Sequence, residues 1–251
     1  LMGIGPLLSW NYTSQSVLLN RFKLPLSISF LSGLGYIIFS SLFQLYVFVA
    51  IMGVSFTLSS ILGEFYKSFK KQKNSSNFLH SIVKMFLSNR HKNGGYIVHI
   101  GIVLLFIGFI GRAFEVEKEF SLSPGEQIYF SNYVFKLNSI KSEARDNHYA
   151  FLSEIDVVDS STNQLLTNLK PEKRIYFYWN SDPEKRQPHS ELDIYSTIQK
   201  DIYSIFSGYD AQKNIGYFKI MINPLVNWVW IGGVLMVIGS LFAFWPSRRN
   251  S

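Results

Sequence analysis

The sequence predicts an α-helical integral membrane protein with an inserted extracytoplasmic β-rich domain. Residues 24–63, 93–111 and 220–247 contain no Asp, Glu, Lys or Arg. Uncharged apolar runs of about 18 residues or more are typical of membrane-spanning helices. Residues 113–222, by contrast, hold 16 acidic and 12 basic side chains. This segment is also rich in β-branched and aromatic residues, which favour strands.

The longest uncharged run indicates two helices rather than one. Residues 24–63 would extend about 60 Å as a single helix, roughly twice the thickness of the hydrocarbon layer. We therefore predict a hairpin of helices over residues 24–40 and 44–63, with its turn near Ser40 and Gln44.

The first residues of the chain are also apolar. Residues 1–10 look like the end of a truncated transmembrane helix, because the sequence opens on Leu1 within an apolar run. We therefore expect this chain to be the C-terminal part of a longer protein.

Positive charges predict the side of the membrane on which each segment lies. Residues 11–23, 67–92 and 246–251 carry lysine and arginine but no acidic side chain. An excess of Lys and Arg in short flanking loops marks the cytoplasmic side, so residues 113–222 are predicted to lie outside. The predicted organisation is the end of a truncated transmembrane helix (1–10), a transmembrane helical hairpin (24–63), a basic cytoplasmic loop (64–93), a transmembrane helix with His99 (94–112), an outer β-rich domain (113–222) and a C-terminal transmembrane helix (223–246).

The outer domain has the pattern of a small β sandwich or a barrel-like module. Short runs of β-branched and aromatic residues alternate with turn signals, which is typical of an all-β fold. Residues 192–206 fit either a strand or a short helix. The predicted strands cover residues 127–130, 133–137, 154–158 and 174–179, and the predicted turns cover 123–125, 159–161 and 181–183.

Composition and motif content exclude or disfavour several classes of function. The chain contains no cysteine, so it forms no disulfide and performs no thiol chemistry itself. Its net charge of +7 reflects the basic cytoplasmic segments, because the outer domain is acidic on balance (12 − 16 = −4). Nucleic-acid binding calls for a basic surface on a folded domain, so this class is disfavoured. The sequence shows no catalytic triad, phosphate-binding loop or cluster of metal ligands.

His99 is the main candidate for a functional residue. Apart from Tyr96 it is the one titratable side chain in residues 93–111. An ionisable group within a membrane-length helix is costly and is usually retained for function, and imidazole is well suited to hold a metal or a haem iron. Gly95 lies one turn earlier on the same face, where the missing side chain would let a flat ring approach the helix. The alternative is a hydrogen bond from His99 to a neighbouring helix or to the headgroup region.

The other histidines and the tryptophans have simpler interpretations. His80 and His91 lie in the basic loop and are expected to be solvated. His148 and His189 lie in the outer domain without a nearby His or Cys, so both are expected to be polar surface residues, and a metal site there is the less favoured interpretation. Interfacial anchoring is typical of tryptophans near the ends of a span, and three occupy such places: Trp228, Trp230 and Trp245.

Five stretches of the sequence resemble the CcmF family of cytochrome c-type biogenesis proteins. They occur in the family's order along the chain and with the same membrane layout. The stretches are MGIGPLLSW (2–10), GGYIVHIG (94–101), LSPGE (122–126), LKPEKRIY (169–176) and NPLVNWVWIGG (223–233).

This resemblance implies a fold, a cellular location and a function. It implies the C-terminal portion of a haem lyase, which attaches haem covalently to apocytochrome c at the outer face of the bacterial cytoplasmic (inner) membrane. The family receives haem from a haem chaperone and works with subunits that handle the apocytochrome and its thiols. It also holds a haem b in the membrane between two histidines. The helix that carries one of them matches residues 98–101, so the resemblance implies that His99 is an axial ligand of haem iron. It also places residues 113–222 in the periplasm.

The resemblance also shows what this chain lacks. The family's tryptophan-rich haem-handling signature, its two outward-facing histidines and its second haem b ligand belong to its N-terminal portion, and none occurs here. This chain alone is therefore not expected to be active, and the second ligand is expected from the missing N-terminal half. Residues 190–194 read SELDI, where the family usually has Thr-Glu-Ala/Val-Ala-Ile. Two other classes stay open: a haem transporter or export component, and a structural anchor that presents a docking domain.

Overall fold

The computed structural model describes residues 3–5, 15–40, 43–71, 89–177 and 188–245. The chain divides into a helical unit, Leu1–Ala113 with Leu225–Ser251, and a strand unit, Phe114–Pro224. The helices are α1 (Gln15–Phe39), α2 (Leu45–Lys71), α3 (Arg90–Gly111) and α4 (Asn227–Phe244), and a short 3-10 helix covers Arg112–Phe114.

All four of these helices, the ones found in the described residues, are long and apolar enough to cross a membrane. The candidate spans are Leu19–Phe39, Leu45–Ser68, Arg90–Phe114 and Asn227–Phe244. The first two helices are longer than the uncharged runs from which they were predicted, because the absence of charge marks the hydrocarbon layer and not the helix ends. Of the predicted segment 1–10 only residues 3–5 are described, and residues 72–88 of the basic loop, with His80, lie outside the described residues.

Helices α1 and α2 pack against each other as a hairpin. Ser29 is 5% exposed on α1, and its hydroxyl donates a hydrogen bond of 2.8 Å to the carbonyl oxygen of Met52 on α2. Gly33 on α1 faces the same part of α2, since a Cβ placed on it would lie 2.9 Å from the Phe48 ring. A small residue here allows the two helices to approach closely, as is common between membrane helices.

Helices α3 and α4 are held together by glycines. Gly94, Gly101 and Gly108 recur every seven residues along α3, and each one faces α4. A Cβ placed on Gly101 would lie 2.6 Å from the carbonyl oxygen of Gly232, and one placed on Gly239 would lie 2.8 Å from the Val98 nitrogen. Side chains larger than hydrogen at these positions would force the backbones apart.

The strand unit is a sandwich of two antiparallel sheets. One sheet has the strand order β1-β10-β9-β8, and the other has the order β2-β3-β4-β6-β7 with β5 paired to β4. The strands are β1 (Val116–Leu122), β2 (Gln127–Phe130), β3 (Tyr133–Ala144), β4 (His148–Asp159), β5 (Leu165–Leu169), β6 (Glu172–Tyr176), β7 (Pro188–Glu191), β8 (Asp193–Ser196), β9 (Lys200–Asp210) and β10 (Ile215–Pro224).

The core of the sandwich is built from alternate residues of both sheets. Phe135 and Ile155 come from one sheet and are fully buried, while Phe206 and Phe218 of the other sheet stack with their ring centroids 4.8 Å apart. The inward faces of the two sheets thus share one apolar layer, which is the defining feature of a sandwich. The predicted fold class, membrane helices with an inserted β-rich domain, is confirmed.

The ambiguous segment 192–206 forms strands. It contains β8 and the first part of β9, which are joined by a turn in which the Lys200 amide donates to the Thr197 hydroxyl over 3.1 Å. Ile202, Ser204 and Phe206 are buried at alternate positions, and this period of two belongs to a strand rather than a helix. The predicted turn 181–183 lies outside the described residues.

Candidate functional site

His99 lies in the third turn of α3 and is half-buried. Its Nδ1 atom is 2.7 Å from the carbonyl oxygen of Gly95, one turn earlier. A carbonyl oxygen only accepts hydrogen bonds, so the neutral ring carries its proton on Nδ1 and donates it to Gly95. The Nε2 atom then keeps its lone pair, and no hydrogen bond to it occurs within the described residues. This is the tautomer that a metal-binding histidine adopts when its other nitrogen is held by a backbone carbonyl.

Gly95 borders an open space. A Cβ placed on it would meet no atom within 4 Å, whereas a Cβ on the adjacent Gly94 would lie 2.6 Å from Ala243. The two glycines therefore have different roles: Gly94 lets α4 approach, and Gly95 leaves room on another face of α3. Two other glycines of α3, Gly101 and Gly108, belong to the packing with α4, whereas Gly95 belongs to the His99 face, as the sequence predicted.

A large apolar cavity continues the same face of α3. It has a volume of about 910 Å³ and lies between α2, α3 and the short segment at residues 3–4. Ile102 and Phe106 of α3 line it, one and two turns beyond His99, and Val49 and Gly53 of α2 face them. His99 itself does not line this cavity. Its size is in the range of pockets that bind cofactors and drug-sized ligands, about 300–1,000 Å³.

On the other side of His99, Tyr96 connects α3 with α2. Tyr96 is 5% exposed, and its ring meets that of Phe65 edge to face with the centroids 5.3 Å apart. The ammonium of Lys92 lies 5.4 Å from the Tyr96 ring centroid. These contacts pack the Tyr96 side of α3 against α2. The His99 imidazole therefore lies between this packed side and the open space at Gly95.

Glu64 forms two ion pairs at this end of the helices. Its carboxylate lies 2.9 Å from the ammonium of Lys67 on the same helix and 3.4 Å from that of Lys92 on α3. Lys67 follows Glu64 by three residues, so the sequence alone places these two side chains together, although α2 continues to Lys71 and Glu64 is not at its end. The second partner, Lys92, has no signal in the sequence because the two residues meet only through the packing of α2 on α3.

The remaining histidines differ in their surroundings. His91 is exposed and lies 6.5 Å from the Phe244 ring, which agrees with its predicted solvation. His148 is 8% exposed, so its expected surface position is wrong. Its ring centroid lies 4.9 Å from that of Tyr176 on β6. The Tyr176 ring centroid in turn lies 5.6 Å from that of His189 on β7. Burial on the outside of a sheet depends on cross-strand neighbours, which the spacing of two histidines does not reveal. In the part of the chain that the structure describes, no group of three or more His, Cys, Asp or Glu side chains is arranged to hold a metal ion.

The tryptophans at the two ends of α4 are mostly exposed. Trp230 is 72% exposed and Trp245 is 65% exposed, as expected for side chains that anchor a helix in the interfacial layer. Trp228 is different, because its indole nitrogen is buried and has no hydrogen-bond partner among the described residues.

Fold and site together define a class: a membrane protein in which a β sandwich is inserted between α3 and α4, with a histidine on α3 whose Nδ1 contacts a backbone carbonyl. Comparison with known proteins identifies the class more closely. Residues 113–224 match the family model described as the CcmF C-terminal beta-sandwich. A solved structure named "Cytochrome c Heme Lyase CcmF" has the same fold, with a TM-score of 0.72 and 19% identity over 98% of this chain and 38% of that one.

Curated proteins give the same result. The cytochrome c-type biogenesis protein CcmF of Haemophilus influenzae is 23% identical over 99% of this chain and 36% of its own length. The protein ccl1 of Rhodobacter capsulatus, also named for cytochrome c-type biogenesis, is 28% identical over 61% of this chain and 22% of its own. The resemblance of this chain to the C-terminal portion of CcmF is thereby confirmed. The chain spans about a third of the length of the Haemophilus protein.

Proposed function

We propose that this chain is the C-terminal portion of a haem lyase that acts in cytochrome c maturation, and that His99 is one axial ligand of a membrane haem b. The main support is the 2.7 Å contact between His99 Nδ1 and the Gly95 carbonyl oxygen, which leaves the Nε2 lone pair free for iron. The relatives' names support the process, since they are called cytochrome c-type biogenesis proteins and a heme lyase.

The residues present fit a haem group. His99 supplies a nitrogen ligand, and the open flank at Gly95 supplies space for the edge of a flat ring. The hydrogen bond to Gly95 fixes the orientation of the imidazole and raises its basicity as a ligand. Apolar side chains on the same face of α3, such as Ile102 and Phe106, would give a bound ring apolar surroundings. When bound between two nitrogen ligands, haem supplies low-spin electron transfer at a potential that ligation and burial tune.

The second ligand belongs to a segment outside this chain. Among the histidines that the structure describes, His91 lies at the very start of α3, and His148 and His189 lie in the strand unit, so none shares the depth of His99 within a candidate span. The open face at Gly95 and the apolar cavity beside it are where such a segment, the missing N-terminal half of the same protein, would approach.

The sandwich, in this proposal, is the docking and positioning surface. The positive charges flanking the spans support a position of the sandwich on the outer side of the membrane, which for a bacterial inner membrane would be the periplasm. There it would meet apocytochrome c, a haem chaperone and the subunits that handle the apocytochrome thiols. Holding haem vinyl groups and cysteine thiols near each other raises their effective concentration, which is the contribution that a docking domain makes to ligation.

Optical spectroscopy of the full-length protein tests the ligand assignment. His99→Ala is expected to abolish or strongly reduce the Soret band of the purified protein, and added imidazole is expected to restore part of it. His91→Ala is the matched control, because His91 lies in the same helix but is exposed. An unchanged spectrum in His99→Ala would remove His99 from the mechanism. A parent protein with no Soret band at all would favour a structural anchor or a transporter of another substrate.

A further inference from the structure

The ion pair between Glu64 and Lys92 lies on the same face of α3 as His99. Lys92, Tyr96 and His99 follow one another at intervals of four and three residues, so their side chains line one face of the helix. Lys92 precedes His99 by seven residues, which is about 10 Å along the helix axis. Glu64 of α2 joins this face through its carboxylate, which lies 3.4 Å from the Lys92 ammonium. One negative and one positive charge therefore lie about two turns from the candidate ligand.

The packing of α3 fixes the position of these charges relative to His99. One turn nearer to His99 than the ion pair, the buried Tyr96 ring meets that of Phe65 on α2 with the centroids 5.3 Å apart. On another side of α3, Gly94 and Gly101 are in close contact with α4. Contacts on two sides restrict both rotation and sliding of α3. The separation between the charges and the imidazole is therefore a property of the fold.

Burial decides which of the two charges acts more strongly at a distance. The side chain of Glu64 is 12% exposed and that of Lys92 is 45% exposed. Water and counter-ions screen an exposed charge over about 8 Å, whereas a buried charge acts through a medium of lower dielectric constant. The carboxylate is therefore expected to have the larger effect on the potential at His99. Lys67, 2.9 Å from the other carboxylate oxygen, keeps Glu64 ionised from its solvent side.

We propose that the Glu64–Lys92 pair sets the one-electron reduction potential of the haem at His99. This inference rests on the proposed function and adds to it a role for two charged residues other than the ligand. A nearby carboxylate favours the oxidised iron, which carries one more positive charge, and so lowers the reduction potential. A nearby ammonium favours the reduced iron and raises the potential. The two side chains thus act in opposite directions from positions that their pairing holds in place.

Redox titration of the purified full-length protein tests the proposal. Dithionite supplies the electron that reduces the iron, ferricyanide removes it, and visible absorbance measures the reduced fraction. Glu64→Gln removes a negative charge and is expected to raise the potential, whereas Lys92→Gln removes a positive charge and is expected to lower it. Each change should alter the ratio of reduced to oxidised haem at a fixed potential by roughly threefold to tenfold, with the larger change in Glu64→Gln.

The opposite signs of the two shifts separate an electrostatic role from a structural one. Both substitutions break the same contact between α2 and α3, so both should lower the melting temperature of the haem-free protein. A purely structural role would therefore move the potential in the same direction in both variants. Lys92→Arg keeps the charge and should retain the potential of the wild type. Lys70→Gln is the matched control, because it removes the charge of an exposed lysine on α2 and should leave the potential unchanged.

Opposite shifts in Glu64→Gln and Lys92→Gln, with an unchanged potential in Lys70→Gln, support the proposal. Shifts in one direction, no shift, or an equal shift in Lys70→Gln overturn it. These outcomes leave the assignment of His99 intact, provided that the Soret band still depends on this residue. A parent protein without a Soret band overturns the proposed function and this inference together, so the spectrum distinguishes the two failures.

Discussion

The backbones of Gly101 and Gly232 are in direct contact, so that a Cβ added to Gly101 would lie 2.6 Å from the carbonyl oxygen of Gly232. The reverse is also true, since a Cβ on Gly232 would lie 2.5 Å from the carbonyl oxygen of Gly101. The two helices that this contact joins are the ones that precede and follow the sandwich in the chain.

Gly101→Leu is therefore expected to disrupt the α3–α4 pair. A leucine has no space at this position, and overpacking of a tight interface costs typically about 1–3 kcal/mol. We expect a lower melting temperature for the purified full-length protein, measured by differential scanning fluorimetry. A substitution of Gly53, where an added Cβ meets nothing within 4 Å, serves as the control and should leave melting nearly unchanged as Gly53→Ala.

Gly95→Leu separates haem binding from helix packing. The position is open, so leucine should leave the melting temperature of the haem-free protein unchanged or slightly higher. The same side chain occupies the space beside His99 where the ring would lie, so haem content should fall. The measurement is the ratio of Soret to protein absorbance. A Gly95→Leu protein with full haem content would show that the flank at Gly95 is not part of the site.

Glu64→Gln tests the two ion pairs of Glu64, one within α2 and one between α2 and α3. The glutamate side chain is 12% exposed and Lys92 is 45% exposed, so solvent weakens the pair and the expected loss is about 1 kcal/mol of stability. Thermal melting of the purified protein at low and high salt measures it, and the difference from wild type should shrink at high salt. Lys70→Gln, an exposed lysine on the same helix, should change little. A Glu64→Gln protein that melts like the wild type would show that the ion pairs with Lys67 and Lys92 do not contribute to stability.

Phe206→Ala tests the core of the sandwich. Phe206 is fully buried and stacked on Phe218, and loss of such a ring typically costs about 3–5 kcal/mol. We expect much faster hydrogen exchange of the backbone amides in β9 and β10, measured by mass spectrometry. Ile198→Ala, at a position 66% exposed, should leave exchange unchanged. Slow exchange in the Phe206 variant would contradict a single shared core.

The stability of the turn between β4 and β5 is expected to depend on pH through Asp159. Its carboxylate accepts hydrogen bonds from the Ser161 hydroxyl and the amides of Ser161 and Thr162, which lower its pKa to about 2. Because the pKa is lower in the folded state, this stabilisation is complete above the ordinary aspartate pKa of about 4 and is lost as the pH falls through about 2. An NMR titration should show the turn amides changing over this window. Asp159→Asn should abolish that change, and a midpoint near 4 in the wild type would contradict the assignment.

The sequence predicted features that depend on residues close together in the chain. The membrane helices follow from uncharged runs, and the strand Gln127–Phe130 falls on the residues from which it was predicted. Strand and turn signals in the outer domain were sufficient for the β fold, although they did not separate a sandwich from a barrel-like module. Residues 192–206 stayed ambiguous because apolar side chains at short spacing suit a helix and a strand alike, and only the alternate burial of Ile202, Ser204 and Phe206 distinguishes them.

The sequence by itself determined the four apolar helices of the described residues, the inserted β domain and His99 as the candidate ligand, because hydropathy, charge and residue type are properties of the linear chain. The tertiary structure alone decided which glycines meet α4 and which one leaves space, that Lys92 joins Lys67 at Glu64, and that His148 is buried. These outcomes depend on which faces of separate helices and strands come together. Which face of a helix or strand is buried depends on the elements that pack against it, and a single sequence does not show those long-range contacts directly.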